Sequence, residues 1–226
     1  MTDIMKELDK WVSQRGSGQY IAADYCSADV GFGMPEEFGI QQERNEIKSF
    51  IELLEKTPGL DNCLEIGLGY FGSTHFIWRH IFNKVQTVEY QKERVFAFRE
   101  NMTDFYGKHV LGDGKSAFFF GKSNDVDVLL KVKNDLKATT ESGMVDMLFI
   151  DGDHLYKSVL ADWLLYKSFV RPGGLIVFHD AVSQIQGAGV FELLKELRAG
   201  TIDGKTYDIK EIVSSVDCGI AYYINE

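Results

Sequence analysis

The sequence predicts an α/β domain of Rossmann-like three-layer construction: a seven-stranded, mostly parallel sheet with a C-terminal antiparallel hairpin and an N-terminal helical cap. Three observations predict it. Strand-like and helix-like stretches alternate from Cys63 onward, the strands are apolar on both faces, and a glycine-rich turn sits where the first strand meets its helix. The 226 residues suit one such domain better than two. With 45% hydrophobic and 26% charged residues, the composition is that of a folded globular chain and excludes wholesale disorder.

Taken in order, Ile4, Met5, Leu8, Trp11 and Val12 fall at helical spacing and predict a short helix over Asp3 to Gln14. Gly16 to Gly39 carries five glycines, Pro35, Tyr20, Tyr25, Phe32 and Phe38, which reads as a long irregular segment, either part of an acceptor-binding lid or a loop simply glued to the domain. Ile47, Phe50, Ile51 and Leu54 resume a helix that Thr57, Pro58 and Gly59 stop. Residues 1–60 are thus expected to form a cap and lid within the same domain, and 61–226 its α/β body.

In that body, predicted strands at Cys63 to Ile66, Val85 to Glu89, Ala117 to Phe120, Val145 to Ile150 and Leu175 to Phe178 are each followed by a helical stretch. This is the βαβ rhythm of parallel strands. Tyr207 to Val213 and Ile220 to Ile224 have too short a connection for a crossover helix, so they are expected to pair as a hairpin. Trp163, with Leu160 and Leu164, is expected in the core.

A net charge of −10 opposes binding to nucleic-acid phosphates or anionic lipid surfaces. Cys26, Cys63 and Cys218 are odd in number and lack zinc-type spacing, while Met1 to Lys10 lacks an apolar signal core. A soluble, reduced, cytoplasmic protein is expected, with no membrane or nucleic-acid partner. The sequence leaves the oligomeric state open, a homodimer included.

The stretch Leu64-Glu65-Ile66-Gly67-Leu68-Gly69-Tyr70-Phe71-Gly72-Ser73-Thr74 lets backbone amides approach a nucleotide-like ligand at a strand-to-helix turn. Glu89, ending the next strand, is placed to accept both hydroxyl protons of a ribose. A turn made tight only for packing and a nicotinamide dinucleotide site share these features. Glu65 is expected to face the ligand, where it would repel a pyrophosphate but suit the ammonium and sulfonium of S-adenosylmethionine.

Asp151 and Asp180 each follow an apolar strand, so both carboxylates are expected on one rim of the sheet, where a hard divalent ion would relieve their repulsion. Magnesium is the leading expectation. His179 would soften the site toward manganese, iron or zinc, or bond to substrate instead. His154, three residues past Asp151, has the ordinary imidazole range that suits a general base. The alternatives are a metal-free arrangement, with Asp151 on the cofactor ammonium and Asp180 capping a turn, and a His154 that merely opens the next helix.

The ordered motifs Glu65-x-Gly67-x-Gly69, Glu89, Phe149-Ile150-Asp151-Gly152-Asp153-His154, Arg171-Pro172-Gly173-Gly174 and Phe178-His179-Asp180 resemble class I S-adenosylmethionine-dependent methyltransferases. They are most similar to the small-molecule O-methyltransferase branch of catechol-type, macrolide-sugar and cephalosporin-pathway enzymes. The resemblance implies that 61–226 binds S-adenosylmethionine, with Glu65, Gly67 and Gly69 at the methionine end, Glu89 on the ribose and Ser123 near adenine. It implies a magnesium or manganese ion on Asp151, His179 and Asp180, and His154 as the base for a small-molecule hydroxyl acceptor. Phe71 and Lys122 depart from the glycine and aspartate that relatives often carry. An NAD-dependent oxidoreductase and a non-enzymatic cofactor-binding accessory protein are the rival readings.

Overall fold

Apolar strands that must be covered on both faces dictate a layered structure, and a computed structural model of the chain has that form. It describes residues 3–13, 42–69, 72–106, 112–184, 189–214 and 218–226. The 16–39 segment with Tyr20, Tyr25, Cys26, Phe32 and Phe38 lies outside the described residues, as do Phe71 and His109. In chain order the elements are α1 (Asp3–Ser13), α2 (Arg44–Lys56), β1 (Asn62–Ile66), α3 (Ser73–Ile81), β2 (Lys84–Glu89), α4 (Lys92–Tyr106) and β3 (Ser116–Phe120). There follow α5 (Val126–Thr139), β4 (Val145–Ile150), α6 (Tyr156–Tyr166), β5 (Val170–Phe178), α7 (Val190–Ala199), β6 (Lys210–Ile212) and β7 (Ile220–Ile224).

The strands form one seven-stranded sheet in the order β3-β2-β1-β4-β5-β7-β6. β1 to β5 pair in parallel, whereas β7 runs antiparallel to both β5 and β6. Because the chain runs outward from β1 through β2 to β3 and then returns to β4, a crevice opens between the carboxyl ends of β1 and β4, the usual ligand position in such sheets. Register brings Ile66 level with Val88 and Ile150, and Ile150 level with Phe178, so the four strand ends share that edge.

Strand alternation splits the core in two. Cys63, Met147, Phe149 and Val177 face a cluster that includes Met5 and Leu8 of α1, Phe50 of α2, Trp78 of α3 and Phe98 of α4. Leu64, Ile66, Leu148, Ile150 and Phe178 face the cluster of α5, α6 and α7, with Val132, Trp163 and Leu193 at its centre. The fold is therefore the Rossmann-like one the sequence predicts. No helix among the described residues is long and apolar enough to cross a membrane.

Three local expectations need correction. β5 begins five residues early, at Val170 rather than Leu175, because Asp146 receives Arg171 Nε at 2.5 Å and the Gly173 and Gly174 backbones pair with Asn225. β6 covers only Lys210–Ile212 of the expected 207–213 stretch, since Tyr207 turns inward against Trp163 and Tyr223. Leu164 is 48% exposed, on the outer face of α6, although Trp163 is fully buried.

Candidate active site at the carboxyl edge of the sheet

The turn after β1 is built by a close approach that only glycine permits. Gly67 has φ +92°, and a Cβ there would lie 2.1 Å from the backbone oxygen of Asp151. Gly67 thus joins the exits of β1 and β4, its N–H donating to Val88 O while Asp151 N–H donates to Ile66 O. Gly69 also has a positive φ, of 66°. Beside this turn the Glu89 carboxylate accepts Leu68 N–H at 2.9 Å and Gln91 N–H at 2.7 Å. Those amides aim it across the mouth of the loop and leave lone pairs for further donors.

Glu65 is placed otherwise than expected. Leu64 and Ile66 point into the α5–α7 cluster, so alternation sends Glu65 to the opposite face, beneath α3 and sealed from solvent. Its carboxylate accepts Trp78 Nε1–H at 3.1 Å and the Thr87 hydroxyl at 2.7 Å. His75 Nδ1 lies 3.5 Å away, and its Nε2 is 2.8 Å from Ser116 Oγ, which Arg79 also donates to at 2.6 Å. Burial pulls His75 below its ordinary value, consistent with a neutral ring. Glu65 is accordingly a buried anchor for α3 and β2, and the charge argument that made it choose between cofactors falls away.

Across the crevice the structure brings Asp151, His154, His179 and Asp180 together. His154 Nε2 lies 3.4 Å from Asp151 Oδ1 and 3.0 Å from Asp180 Oδ2. His179 Nδ1 lies 3.3 Å from Asp151 Oδ1 and 3.5 Å from Asp180 Oδ1. Asp180 adopts the left-handed region at φ 56°, the non-glycine residue that does so among those described, which turns the chain sharply after β5. Burial acts to raise the Asp151 carboxyl, but the two imidazoles outweigh it and hold Asp151 well below the usual carboxylate range. Burial likewise opposes charge on His179 and His154, yet the flanking carboxylates raise both above the ordinary imidazole value, His179 strongly. His154 stays reachable, its side chain 48% exposed, and Asp153 stands apart, accepting Leu155 N–H and the Ser158 hydroxyl at the start of α6.

These donors fit a divalent cation. Coordination bonds of about 2.1 Å at right or tetrahedral angles separate ligand atoms by roughly 3.0–3.4 Å, close to the spacing around His179 Nδ1. His179 Nε2 is buried with no hydrogen-bond partner. Two overlapping ligand groups occur among the described residues, Asp151 with His154 and Asp180, and His179 with Asp180 and Cys218.

Three residues were not legible in the sequence as parts of this edge. Gln42, just before α2, donates from Nε2 to Asp151 Oδ2 at 3.2 Å, with its Oε1 buried and unpartnered. Asp162, on α6, is buried behind Gly152 and hydrogen-bonded by Ser123, while its Oδ1 lacks a partner; burial pushes its carboxyl up to about 6. Cys218, leading into β7, comes beside His179 and Asp180. Ser123 itself sits after β3, its carbonyl receiving the Tyr166 hydroxyl at 2.7 Å. A cavity of about 270 Å³ between Lys205–Asp208 and β6–β7 lies at the amino edge of the parallel strands, away from these groups.

A family model described as a methyltransferase domain matches residues 13–181. Over 36 residues the chain is 56% identical to an uncharacterized protein of Acanthamoeba polyphaga mimivirus, a match spanning 16% of each protein. Among solved structures, an O-methyltransferase from Bacillus cereus in complex with SAH superposes with a TM-score of 0.59 at 20% identity, over all of this chain and 92% of the other. TomG of Streptomyces achromogenes, an O-methyltransferase of tomaymycin synthesis in complex with SAM, gives 0.57 at 14% identity, over 100% and 91%. MycE, a methyltransferase of mycinamycin biosynthesis in complex with Mg, SAH and mycinamycin VI, gives 0.55 at 14%, over 100% of this chain and 55% of the other.

Proposed function

Because this chain belongs to the methyltransferase-domain family, we propose that it transfers a methyl group from S-adenosylmethionine to a hydroxyl of a small molecule, assisted by a divalent cation. The observation that carries the reading is the convergence of Asp151, His154, His179 and Asp180 on the crevice beside the glycine turn and Glu89. That the solved neighbours named above hold SAH or SAM, and one of them Mg and mycinamycin VI, supports the cofactor and a small-molecule acceptor. The net charge of −10 favours a small acceptor over nucleic acid.

When bound, S-adenosylmethionine supplies an electrophilic methyl group on a sulfonium, and a divalent cation supplies positive charge beside the acceptor oxygen. Glu89 accepts the ribose hydroxyls with the lone pairs its backbone amides leave open, and Gly67 and Gly69 let the main chain approach the methionine end. Ser123 lies toward adenine, and Asp151 receives the cofactor ammonium as well as the cation. Asp151, His179 and Asp180 would hold the ion, with magnesium or manganese as the first candidates. His154 takes the acceptor hydroxyl proton on its imidazole, whose basicity the flanking Asp151 and Asp180 carboxylates raise. Helices α1 and α2 cap the domain, packing on α3 through Met5, Leu8 and Phe50. Methyl transfer consumes opposite charges together, so alignment and exclusion of water are what the crevice must provide.

Calorimetric titration with S-adenosylhomocysteine and with NADH tests the cofactor. Binding of the first alone is expected; binding of NADH alone overturns the proposal in favour of an oxidoreductase. Turnover on a panel of hydroxyl compounds then tests the reaction, and retained cofactor affinity with no methylated product favours a non-enzymatic accessory role.

A further inference from the structure

Cys218 has no part in the reaction just described, yet several contacts hold it at the cation site. Val182 N–H donates to Cys218 O at 3.0 Å and Ala181 N–H to Gly219 O at 3.1 Å, tying residues 218–219 to the turn that carries Asp180. From the other side the buried Glu46 carboxylate of α2 accepts Gly219 N–H at 2.8 Å and Ser214 N–H at 2.7 Å, fixing the approach to β7. A ring nitrogen of His179, a carboxylate oxygen of Asp180 and the Sγ of Cys218 consequently lie within 4.8 Å of one another. Cys218 and His179 are both buried, and the thiol is not in a disulfide.

Independently of the cysteine, His179 Nε2 is a buried nitrogen with no hydrogen-bond partner. Its Nδ1 already faces Asp151 and Asp180. A ring whose two nitrogens are divided between carboxylates and an unfilled contact is placed to ligate.

We propose that Cys218 joins His179 and Asp180 as a ligand, so that this edge selects a thiophilic divalent ion of the zinc and cobalt kind over magnesium. The inference rests on the reading of the edge as a cation site and narrows which cation occupies it. Magnesium requires near-octahedral oxygen coordination and gains little from imidazole or sulfur, whereas zinc takes nitrogen, oxygen and thiolate in a four-coordinate shell. Tetrahedral bonds of about 2.0–2.3 Å place donors roughly 3.5 Å apart, so the three side chains need close by only about 1 Å. On binding, the Cys218 S–H bond breaks, a sulfur–metal bond forms and the proton passes to buffer; no oxidation is involved.

The test uses the full chain, stripped of metal and saturated with S-adenosylhomocysteine. Cobalt titration is expected to produce a near-ultraviolet thiolate-to-cobalt absorption that zinc abolishes and excess magnesium does not. The band is expected to persist in C26S/C63S, which keeps Cys218 as its one thiol, and to vanish in Cys218→Ser with a loss of cobalt affinity of about tenfold or more. Absence of the band in the wild-type protein, or in C26S/C63S protein that still binds S-adenosylhomocysteine, or its survival in Cys218→Ser, overturns the proposal. An equal loss of magnesium and cobalt affinity in Cys218→Ser overturns it too, since that marks a packing role. Binding of S-adenosylhomocysteine is measured in the same samples, so failure of the cation inference is distinguishable from failure of the methyltransferase reading.

Discussion

The two sides of the crevice treat their buried charges differently. On the β1–β2 side, Glu65 is sealed from solvent with its oxygens engaged by Trp78 and Thr87, while Glu89 is fixed by two backbone amides that leave it lone pairs for a ligand. On the β4–β5 side, Asp151 and Asp180 are bonded to two imidazoles, one of which keeps an unpartnered nitrogen, and the chain passes through a left-handed residue. Satisfied charges near a site build the wall; charges crowded together and left incomplete are where a ligand has something to gain.

That contrast breaks first at the glycine that joins the two sides. Gly67→Ala drives a Cβ into the Asp151 backbone, and a loss on the order of 4 kcal/mol is expected in urea unfolding, together with loss of cofactor binding. His154→Ala is expected to lower turnover by about 10²–10⁴-fold while calorimetry shows cofactor affinity within a few-fold of wild type; unchanged turnover removes His154 as the base. Glu65→Gln is expected to act oppositely, costing about 2–3 kcal/mol of stability through its buried donors, with kcat near wild type in whatever protein remains folded.

The smallest effect separates the sides by pH. Asp162 has a carboxyl raised from 3.8 to about 6 in the folded chain. Between those values the native state holds a proton the unfolded state has released, so this group's contribution to stability is full at low pH and declines as pH rises through about 6. The decline is at most about 3 kcal/mol by linkage. Asp162→Asn is expected to remove that slope, which the difference between wild-type and variant urea midpoints from pH 4 to pH 8 measures; equal slopes in the two proteins refute it.

How much of this was legible in the sequence follows from range. The strands and their order of alternation are local, and Val145–Ile150 and Ile220–Ile224 fall where their apolar runs end. The convergence of Asp151, His179 and Asp180 was readable because strand ends of a parallel sheet share a rim. Glu65 departs from its expected place although alternation with Leu64 and Ile66 carries the signal: the face of the strand, not the charge beside the glycine motif, decides where the carboxylate points. Gln42 reaches Asp151 across 109 positions and Glu46 reaches Gly219 across 173, and no pattern along the chain announces such contacts. The extension of β5 through Pro172 was hidden because its partner, Asn225, lies beyond the other strands in sequence.

The position of β7 has a consequence for how the molecule comes into being. It is made after β6 yet inserts between β5 and β6. During synthesis β5 therefore presents a bare, adhesive border to other nascent chains until residue 224 has emerged, the kind of open template that invites cross-pairing. Translation past that point closes the border and delivers residue 218 to its place in a single event, so maturation of the sheet and of the pocket are one step rather than two.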